Sequence, residues 1–300
     1  MNQHSIVSTS ENSEVKGHES YAMVTGASSG IGRAIAEELA KKGIGLILVA
    51  LPQTGLELVA RQLSKKYGVE VLTFGVDLTL PDAPFKLFSA CQAKNLNIEI
   101  LVNNAGFGNL ELFENSDLKE LNQMMILNNQ AVVGLTHLFI PILKKNKPSY
   151  ILNLGSLASF FKIPYKAVYS ATKSFVFSFS AALRQELKPV NISVSCLCPG
   201  STLTSERVQD IIQRTSGKSP LFIQSPQIVA QWAIKKLFEG QFKIVPGFHN
   251  RILLAVYSML PEIFTEKILL KLFKPRQNGQ VVISVRKQYS RWVMFSLANR

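Results

Sequence analysis

A glycine-rich turn between a predicted strand and a predicted helix constrains the fold more than any other feature of the sequence. Residues 21–25 are typical of a short buried strand, and residues 33–42 are typical of a helix that ends at Gly43. The glycines of the intervening segment 26–32 permit a tight turn and allow backbone N–H groups to approach a pyrophosphate, while the helix N-terminus adds partial positive charge. The sequence therefore predicts a dinucleotide-binding turn near its start.

The alternation of strands and helices continues along the chain. Further strands are predicted at 46–50, 69–74, 98–102, 150–154, 192–197 and 243–246, and further helices at 55–67, 116–145 and 167–188. Strands that alternate with helices of this length require crossover connections, so the sheet is expected to be parallel. The predicted fold class is α/β, with a three-layer, doubly wound sheet of about seven strands.

Length and composition predict one main domain between two unlike ends. Three hundred residues, of which 47% are hydrophobic, can bury one large core. Residues 1–20 are polar and aperiodic, so we predict a disordered leader; residues 21–248 form the predicted dinucleotide-binding and catalytic domain, and residues 249–300 a basic amphipathic helical tail. The sequence predicts neither a membrane-spanning helix nor a secretory signal, and a cytoplasmic location is expected.

Positive charge is concentrated in the predicted tail. The formal net charge is +13, and residues 235–300 contain twelve Lys or Arg against three Glu. Such a surface can meet a phosphorylated cofactor, anionic lipid or nucleic acid, but no nucleic-acid motif accompanies it, so nucleic acid is not expected. Two apolar helical segments, separated by Pro261, are predicted within 249–274. The second places three lysines on one face: Lys267, Lys271 and Lys274.

Two interpretations of these tail helices stay open. In the first, segment 249–274 lies on anionic lipid as a peripheral contact at the inner membrane surface, with Phe264, Ile268 and Leu272 turned toward the acyl chains. In the second, the helices fold back over the substrate pocket or pair across a homo-oligomer. Either arrangement would place an apolar surface near the pocket.

The three cysteines predict no metal site. Cys91, Cys196 and Cys198 are an odd and sparse set, and the spacing of Cys196 and Cys198 is wrong for a zinc knuckle but typical of alternation along a strand. We expect reduced thiols and no structural metal.

Tyr169 and Lys173 are the strongest candidates for chemistry. Residues four apart share one face of a helix, so the phenol and the ammonium are expected to lie side by side. A neighbouring cation favours the phenolate and lowers the phenol pKa from its usual value of ~10. Such a group can exchange a proton with a reacting oxygen. The alternative is a tyrosine that packs in the core and a lysine in solvent.

Three motifs together resemble those of the short-chain dehydrogenase/reductase family. They are the turn from Thr25 to Gly32, the element from Asn103 to Gly106, and the Tyr169–Lys173 pair, in the family's order. The resemblance implies a Rossmann-type sheet of seven parallel strands, with the cofactor at the C-terminal edge of the strands, over roughly residues 21–248.

The resemblance also implies catalytic roles. Tyr169 would supply the proton, and Lys173 would lower the phenol pKa and hold the nicotinamide ribose. Ser156 lies thirteen positions before Tyr169 and would bind the substrate carbonyl; nearby Ser159 is interpreted as a loop hydroxyl that bonds backbone. Asn128 would connect the lysine to bulk water through a relay, with the adjacent Asn129 as the alternative match.

The implied cofactor contacts come from five segments. They are Gly26, Ser28, Ser29, Gly30, Ile31, Gly32, Asp77, Leu78, Asn104, Ala105, Gly106, Tyr169, Lys173, Pro199, Gly200 and Thr204. For Asp77 a second interpretation stays open, in which its carboxylate caps a turn with Thr79.

One position departs from the family pattern. At the end of the second strand, an acidic residue would bind the ribose 2′-hydroxyl of NAD, whereas an arginine would accommodate the 2′-phosphate of NADP. Leu51 stands there, so no carboxylate would repel a phosphate, and Arg33 is a candidate cation. NADP(H) is therefore favoured, with NAD(H) as the alternative.

The expected activity is hydride transfer between nicotinamide and a carbonyl or secondary alcohol. The apolar tail favours a hydrophobic or lipid-like small-molecule substrate, and the resemblance places substrate choice in 201–225, a segment that indicates a mobile cover. The alternative is a non-catalytic dinucleotide-binding sensor or scaffold that uses the basic tail to bind a membrane or a partner.

Overall fold

The computed structural model describes residues 20–204 and 223–273, and its centre is a parallel sheet of seven strands. The strands are β1 (Tyr21–Thr25), β2 (Gly45–Ala50), β3 (Val71–Gly75), β4 (Ile98–Asn103), β5 (Ser149–Leu154), β6 (Ile192–Leu197) and β7 (Lys243–Ile244). Their spatial order is β3-β2-β1-β4-β5-β6-β7. The order reverses beside β1, so a crevice opens between the carboxyl ends of β1 and β4. The predicted fold class is confirmed.

Helices cover both faces of the sheet. They are α1 (Gly30–Ala40), α2 (Leu56–Tyr67), α3 (Ala83–Ala93), α4 (Leu118–Met125), α5 (Ala131–Leu143), α6 (Ala167–Leu187), α7 (Pro226–Phe238), α8 (Phe248–Met259) and α9 (Glu262–Phe273). Alternate residues of β1 point to opposite layers: Val24 packs with α1, α2 and α7, and Met23 packs with α3, α5 and α6. The fold is therefore doubly wound.

Two helices were not among the predicted elements. The sequence predictions include neither α3, between β3 and β4, nor α7, before β7. A start signal was available for α7, because Ser225 accepts a hydrogen bond from the Ile228 N–H and Pro226 is the first helical residue. In α3 only Ala83, Leu87 and Cys91 are buried, so its apolar pattern is weak.

The predicted long helix 116–145 consists of three segments. A π-helical turn, Ile126–Gln130, joins α4 to α5. The continuous helical stretch Leu118–Leu143 is long and apolar enough to cross a membrane by length and composition. In this fold its α5 segment packs on α3 and β4, and its side chains Leu135 and Phe139 are almost fully buried. The stretch is therefore a helix of the domain core.

The C-terminal part contains two helices divided at Pro261, as predicted. The first is attached through buried Asn250, whose Nδ2 donates to the Pro246 carbonyl at 2.8 Å and to Gln224 Oε1 at 3.1 Å. Other predictions lie outside the described residues: the leader up to residue 19, most of the cover (205–222) and the part of the tail from Lys274 to residue 300.

Candidate active site

The first part of the site joins the ends of β1 and β4. The Thr25 hydroxyl accepts hydrogen bonds from the backbone N–H groups of Asn104 and Ala105, at 2.9 and 3.0 Å. The Asn104 side-chain Nδ2 donates to the carbonyl of Thr25 at 2.8 Å. These contacts are almost fully removed from solvent and fix the two loops side by side at the C-terminal edge of the sheet.

The glycine turn leaves no room for larger residues. A Cβ atom on Gly32 would lie 2.3 Å from the carbonyl oxygen of Gly26 and 2.4 Å from Asn104 Nδ2. Gly30 has a φ of +58°, a conformation that favours glycine, and its Cβ would lie 3.0 Å from the Cβ of Thr204. Ser29 precedes α1 without a side-chain cap, so the first N–H groups of the helix are open to a ligand. This cradle fits a dinucleotide pyrophosphate.

Tyr169, Lys173 and Ser156 converge beside this turn. Tyr169 and Lys173 occupy the first two turns of α6, and Lys173 Nζ lies 5.9 Å from the centre of the Tyr169 ring. Lys173 Nζ donates to the carbonyl of Leu154 at 2.8 Å, at the end of β5. Ser156 follows that strand and hydrogen-bonds to the Tyr169 side chain. The structure thus brings together the three side chains that the sequence predicts as a set.

The ionisation of the pair differs from the sequence expectation. Burial raises the pKa of Tyr169 above its ordinary value, and the hydrogen bond with Ser156 lowers it in part. Burial lowers the pKa of Lys173 to about 8. The expectation of a lowered Tyr169 pKa is wrong for this geometry, because burial outweighs the effect of the hydrogen bond with Ser156. Lys173 remains mostly protonated at neutral pH.

Asn128, and not Asn129, faces the lysine. Asn128 is 1% exposed and donates to the Phe107 carbonyl at 2.9 Å and to Thr172 Oγ1 at 3.0 Å. A Cβ on Gly106 would lie 2.7 Å from Asn128 Oδ1 and 3.5 Å from Lys173 Nζ, so Gly106 sits between the two side chains. Asn129 instead donates to a backbone carbonyl of α6. Both asparagines lie in the π-helical turn, and Asn128 is its buried residue.

Ser159 has the backbone role that the sequence suggests. Its hydroxyl donates to the Lys173 carbonyl at 2.8 Å and accepts from the Ser156 N–H at 3.3 Å. Ser156 in turn accepts from the Ala158 N–H at 3.1 Å. Ser159 therefore fixes the loop that carries Ser156 against α6.

Asp77 caps a turn. Its carboxylate accepts hydrogen bonds from the Thr79 N–H at 2.9 Å and from the Thr79 hydroxyl at 2.7 Å. Leu78 beside it is buried in the core. The contacts of the Asp77 carboxylate are therefore those of the turn cap with Thr79, the second of the two interpretations of this residue.

The segment after β6 reaches the same edge. The Pro199 carbonyl accepts from the Leu157 N–H at 3.0 Å, which ties it to the Ser156 loop. A Cβ on Gly200 would lie 2.7 Å from Asn250 Oδ1, so the segment also touches α8. Thr204 packs on the glycine turn, as its close approach to Gly30 indicates. These positions therefore surround the cradle together with the β1 and β4 loops.

The residue that directly follows β2 is neither acidic nor basic. Leu51 follows the strand, and its carbonyl accepts from the Thr54 hydroxyl at 2.7 Å. Arg33 is an exposed residue of α1 and donates to Gln62 Oε1 at 2.9 Å. Its guanidinium is thus engaged with α2 and retains further donors.

Two neighbours of Tyr169 were missed by the sequence reasoning. A Cβ on Gly108 would lie 2.4 Å from the Tyr169 ring, so only glycine permits the ring to lie where it does. Lys166 Nζ lies 5.6 Å from the ring centre, and burial lowers its pKa. Lys166 precedes Tyr169 by three residues, which is also a helical spacing and was the available signal.

The cysteines are free thiols. Cys196 and Cys198 are buried with their Sγ atoms 3.8 Å apart, on and just after β6, in agreement with the predicted strand alternation. Within residues 20–204 and 223–273, no group of three or more His, Cys, Asp and Glu side chains is arranged to hold a metal ion.

Comparison with known proteins agrees with this fold. The family model described as short chain dehydrogenase matches residues 20–214. A very-long-chain 3-oxoacyl-CoA reductase from Bos taurus is 34% identical over 183 residues, covering 60% of this chain and 58% of that protein. The protein of the same description from Neurospora crassa is 33% identical over 220 residues, covering 72% and 64%. A solved short-chain dehydrogenase from Sphingobium yanoikuyae in complex with NADPH is 25% identical with a TM-score of 0.71, covering 87% of this chain and 98% of that one.

The chain belongs to the short chain dehydrogenase family, because the family model matches more than half of it. The chain spans less than two thirds of the length of the two reductases.

Proposed function

We propose that this chain is an NAD(P)-dependent oxidoreductase that interconverts a carbonyl and a secondary alcohol. The observation that carries the proposal is the convergence of Ser156, Tyr169 and Lys173 beside a glycine cradle that a Cβ atom would fill. A sensor or scaffold would need the cradle but not the three polar side chains. Their convergence favours the enzyme over the non-catalytic alternative.

The side chains have complementary roles in this proposal. The nicotinamide, when bound, supplies or accepts the hydride. The Ser156 hydroxyl orients the carbonyl oxygen, and the Tyr169 hydroxyl donates a proton to that oxygen as the hydride reaches the carbon. The ammonium of Lys173 stabilises the phenolate that forms. In the oxidative direction the Tyr169 phenolate accepts the alcohol proton.

Asn128 and the cradle residues support this chemistry. Asn128 holds the Phe107 backbone next to Lys173 and would position a water relay that returns the proton to Tyr169. The N-terminus of α1, with Gly26, Ser28, Ser29 and Ile31, would hold the pyrophosphate. Asn104, Ala105, Gly106 and the segment from Pro199 to Thr204 would line the nicotinamide half, and Asp77 with Leu78 the adenine half.

NADP(H) is the proposed cofactor. No carboxylate follows β2, so nothing at that position repels a 2′-phosphate, and the exposed Arg33 retains donors to meet one. The solved relative from Sphingobium yanoikuyae was obtained with NADPH. NAD(H) remains the second candidate.

The proposed substrate is a hydrophobic 3-oxoacyl thioester. Tyr169 packs against an apolar cluster that includes Leu157, Phe161 and Ile163. The curated relatives are named as very-long-chain 3-oxoacyl-CoA reductases. A long acyl chain that enters an apolar pocket is stabilised by about 25 cal/mol per Å² of its own surface that leaves water.

One turnover experiment tests substrate and cofactor together. The substrate panel consists of 3-oxoacyl-CoA esters, steroids, retinoids and sugars, and we expect oxidation of NADPH with the long-chain 3-oxoacyl-CoA. For that substrate, kcat/KM should be at least about tenfold higher with NADPH than with NADH, a difference of about 1.4 kcal/mol. Leu51→Asp should reverse the cofactor preference and retain kcat, since a carboxylate there would bind the ribose of NAD and repel the 2′-phosphate of NADP. Turnover confined to small sugars would contradict the lipid proposal, and a preference for NADH in the unmodified chain would contradict the cofactor.

We further propose that residues 21–248 form the catalytic domain, that 249–300 form an attached tail, and that α8 rests on the cytoplasmic surface of a membrane. One face of α8 is apolar and exposed to solvent: Phe248 (65% exposed), Ile252 (45%), Val256 (50%) and Met259 (85%). These residues recur at helical spacing, so they form one stripe. The net positive charge of the tail would add attraction to anionic lipid.

Vesicle binding tests the membrane contact. In sedimentation with vesicles of phosphatidylcholine and phosphatidylserine, Ile252→Ser with Val256→Ser should weaken binding by about tenfold or more, because two apolar side chains no longer enter the acyl boundary. Leu58→Ser on α2, where the leucine is 53% exposed, is the matched control and should bind normally. Unchanged vesicle binding of the α8 variant would contradict the proposal and indicate that α8 makes no membrane contact. If the two substitutions instead converted a dimer to a monomer in the absence of lipid, the stripe would be a contact with a second copy of the chain, which would also contradict the proposal.

A further inference from the structure

A second cavity lies outside the proposed active site. Its volume is about 790 Å³, and α7, β7 and α8 form its walls at the free edge of the sheet. Phe160 closes it on the side of the active site, one residue after Ser159. On the same side the Phe161 ring lies 4.5 Å from the Tyr257 ring, and Tyr169 packs against this aromatic cluster. Aromatic side chains thus lie between the cavity and Tyr169.

The cavity is positively charged. Lys236, Lys243 and Arg251 line it, and none of its lining residues is acidic. Lys236 forms an ion pair with Glu239 at 2.5 Å, so its charge is largely neutralised. Among residues 20–204 and 223–273, no carboxylate lies within 4 Å of Lys243 or Arg251. Two unneutralised cations therefore remain at the cavity.

Aromatic rings hold both of these cations in place. The Arg251 guanidinium lies over the Trp232 ring at 5.0 Å, and Lys243 Nζ lies over the Phe160 ring at 5.7 Å. Such contacts restrict the side chains without consuming their hydrogen-bond donors. The two cations are therefore oriented in advance for an anion on the cavity side.

The remaining lining determines the chemical class of the ligand. Ile244, Val245 and Leu254 contribute an apolar floor, and Trp232 contributes a flat polarisable ring. A volume within the range of about 300–1,000 Å³ suits a small organic molecule. Cations, a flat ring and an apolar floor together fit a phosphorylated molecule that also carries an aromatic base.

We propose that this cavity binds the phosphorylated adenosine end of a coenzyme A thioester. The inference rests on the proposed function, since the thioester is the proposed substrate. Arg251 and Lys243 bind its phosphates, and the adenine stacks on the Trp232–Arg251 pair. The flexible pantetheine arm runs from the cavity past Phe160, so that the acyl carbonyl reaches Tyr169. The site therefore favours thioesters of coenzyme A over smaller thioesters of the same acyl chain.

Tryptophan fluorescence tests the site directly. The chain has two tryptophans, and Trp292→Phe leaves Trp232 as the only one. With saturating NADP⁺ in the cofactor cradle, coenzyme A should change the Trp232 fluorescence saturably. Arg251→Gln with Lys243→Gln should raise the Kd at least about tenfold, because two charged contacts are lost. Lys235→Gln, an exposed neighbour outside the cavity, is the matched control and should leave the Kd unchanged.

Glu239→Gln gives an opposite expectation. It frees Lys236 for the ligand, so coenzyme A should bind more tightly. If the Lys236–Glu239 ion pair were only structural, its loss would not lower the Kd for coenzyme A. Thermal unfolding of each variant checks that it is folded. Absence of a Trp232 response to coenzyme A, or equal affinities in the double variant and in Lys235→Gln, would overturn the proposal.

Turnover separates this site from the proposed function. With the 3-oxoacyl-CoA, the double variant should raise KM about tenfold and retain kcat, and with the matching N-acetylcysteamine thioester, which lacks the nucleotide, it should behave like the unmodified chain. Coenzyme A binding without reduction of either thioester would contradict the proposed function and leave the site standing. Reduction of both thioesters with equal KM would overturn the site alone.

Discussion

Replacing Tyr169 by Phe is expected to lower kcat by about 10²–10⁴-fold, the contribution that a positioned proton donor makes to such a step. The variant removes one hydroxyl, which bonds Ser156 and would face the carbonyl oxygen. The ring, its contact with Gly108 and the glycine cradle remain. NADPH should therefore bind with an unchanged Kd, and the loss should appear in kcat with the proposed 3-oxoacyl-CoA.

The matched control is Tyr150→Phe. Tyr150 lies on β5, and its ring packs on Phe238 at 5.1 Å, away from the site. Removal of its hydroxyl should leave kcat within about twofold, a change of about 0.4 kcal/mol. If Tyr169→Phe retained normal turnover, the proposed proton donor would be wrong, and a non-catalytic role would regain support.

Gly32→Ala is expected to abolish measurable NADPH binding and to destabilise the fold by about 1–3 kcal/mol. The added methyl carbon would lie 2.3 Å from the Gly26 carbonyl oxygen and 2.4 Å from Asn104 Nδ2, which itself donates to the carbonyls of Thr25 and Gly26. The turn must therefore open, which moves the α1 N-terminus away from the pyrophosphate position. Fluorescence titration with NADPH and thermal unfolding measure the two effects.

Gly134→Ala serves as the control for the glycine substitution. Gly134 lies within α5, and its nearest non-helical contacts are 3.3 Å away on the Pro84 ring. Alanine is also the better helix former by about 1 kcal/mol, so stability should change little and NADPH binding should be normal. Normal NADPH binding by Gly32→Ala would show that the cofactor lies elsewhere.

Local patterns predicted the architecture and part of the site. Neighbouring residues were enough to predict that β1 is buried on both faces and that a glycine turn follows it. The same holds for the helical spacing of Tyr169 and Lys173. Parallel strands bring their carboxyl ends to one edge, so the order of motifs along the chain was enough to place them together.

The remaining features depend on contacts between distant segments. The choice between Asn128 and Asn129 rests on their contacts with the Phe107 backbone and with α6, and both lie in the same π-helical turn. The lowered pKa of Lys173 follows from burial under Leu154 and Gly106, which no local pattern records. The second cavity likewise needs α7 and α8 to meet at β7. The sequence contains each of its residues but not their proximity.

Transfer of an isotope from the cofactor to the product tests the central claim most directly. The unmodified chain should be incubated with NADPH that carries deuterium at the transferable C4 position and with a long-chain 3-oxoacyl-CoA, and the product examined by mass spectrometry. The account predicts a 3-hydroxyacyl-CoA with one deuterium bonded to C3, formed in proportion to the NADPH consumed. An unlabelled product, or no 3-hydroxyacyl-CoA at all, would contradict it.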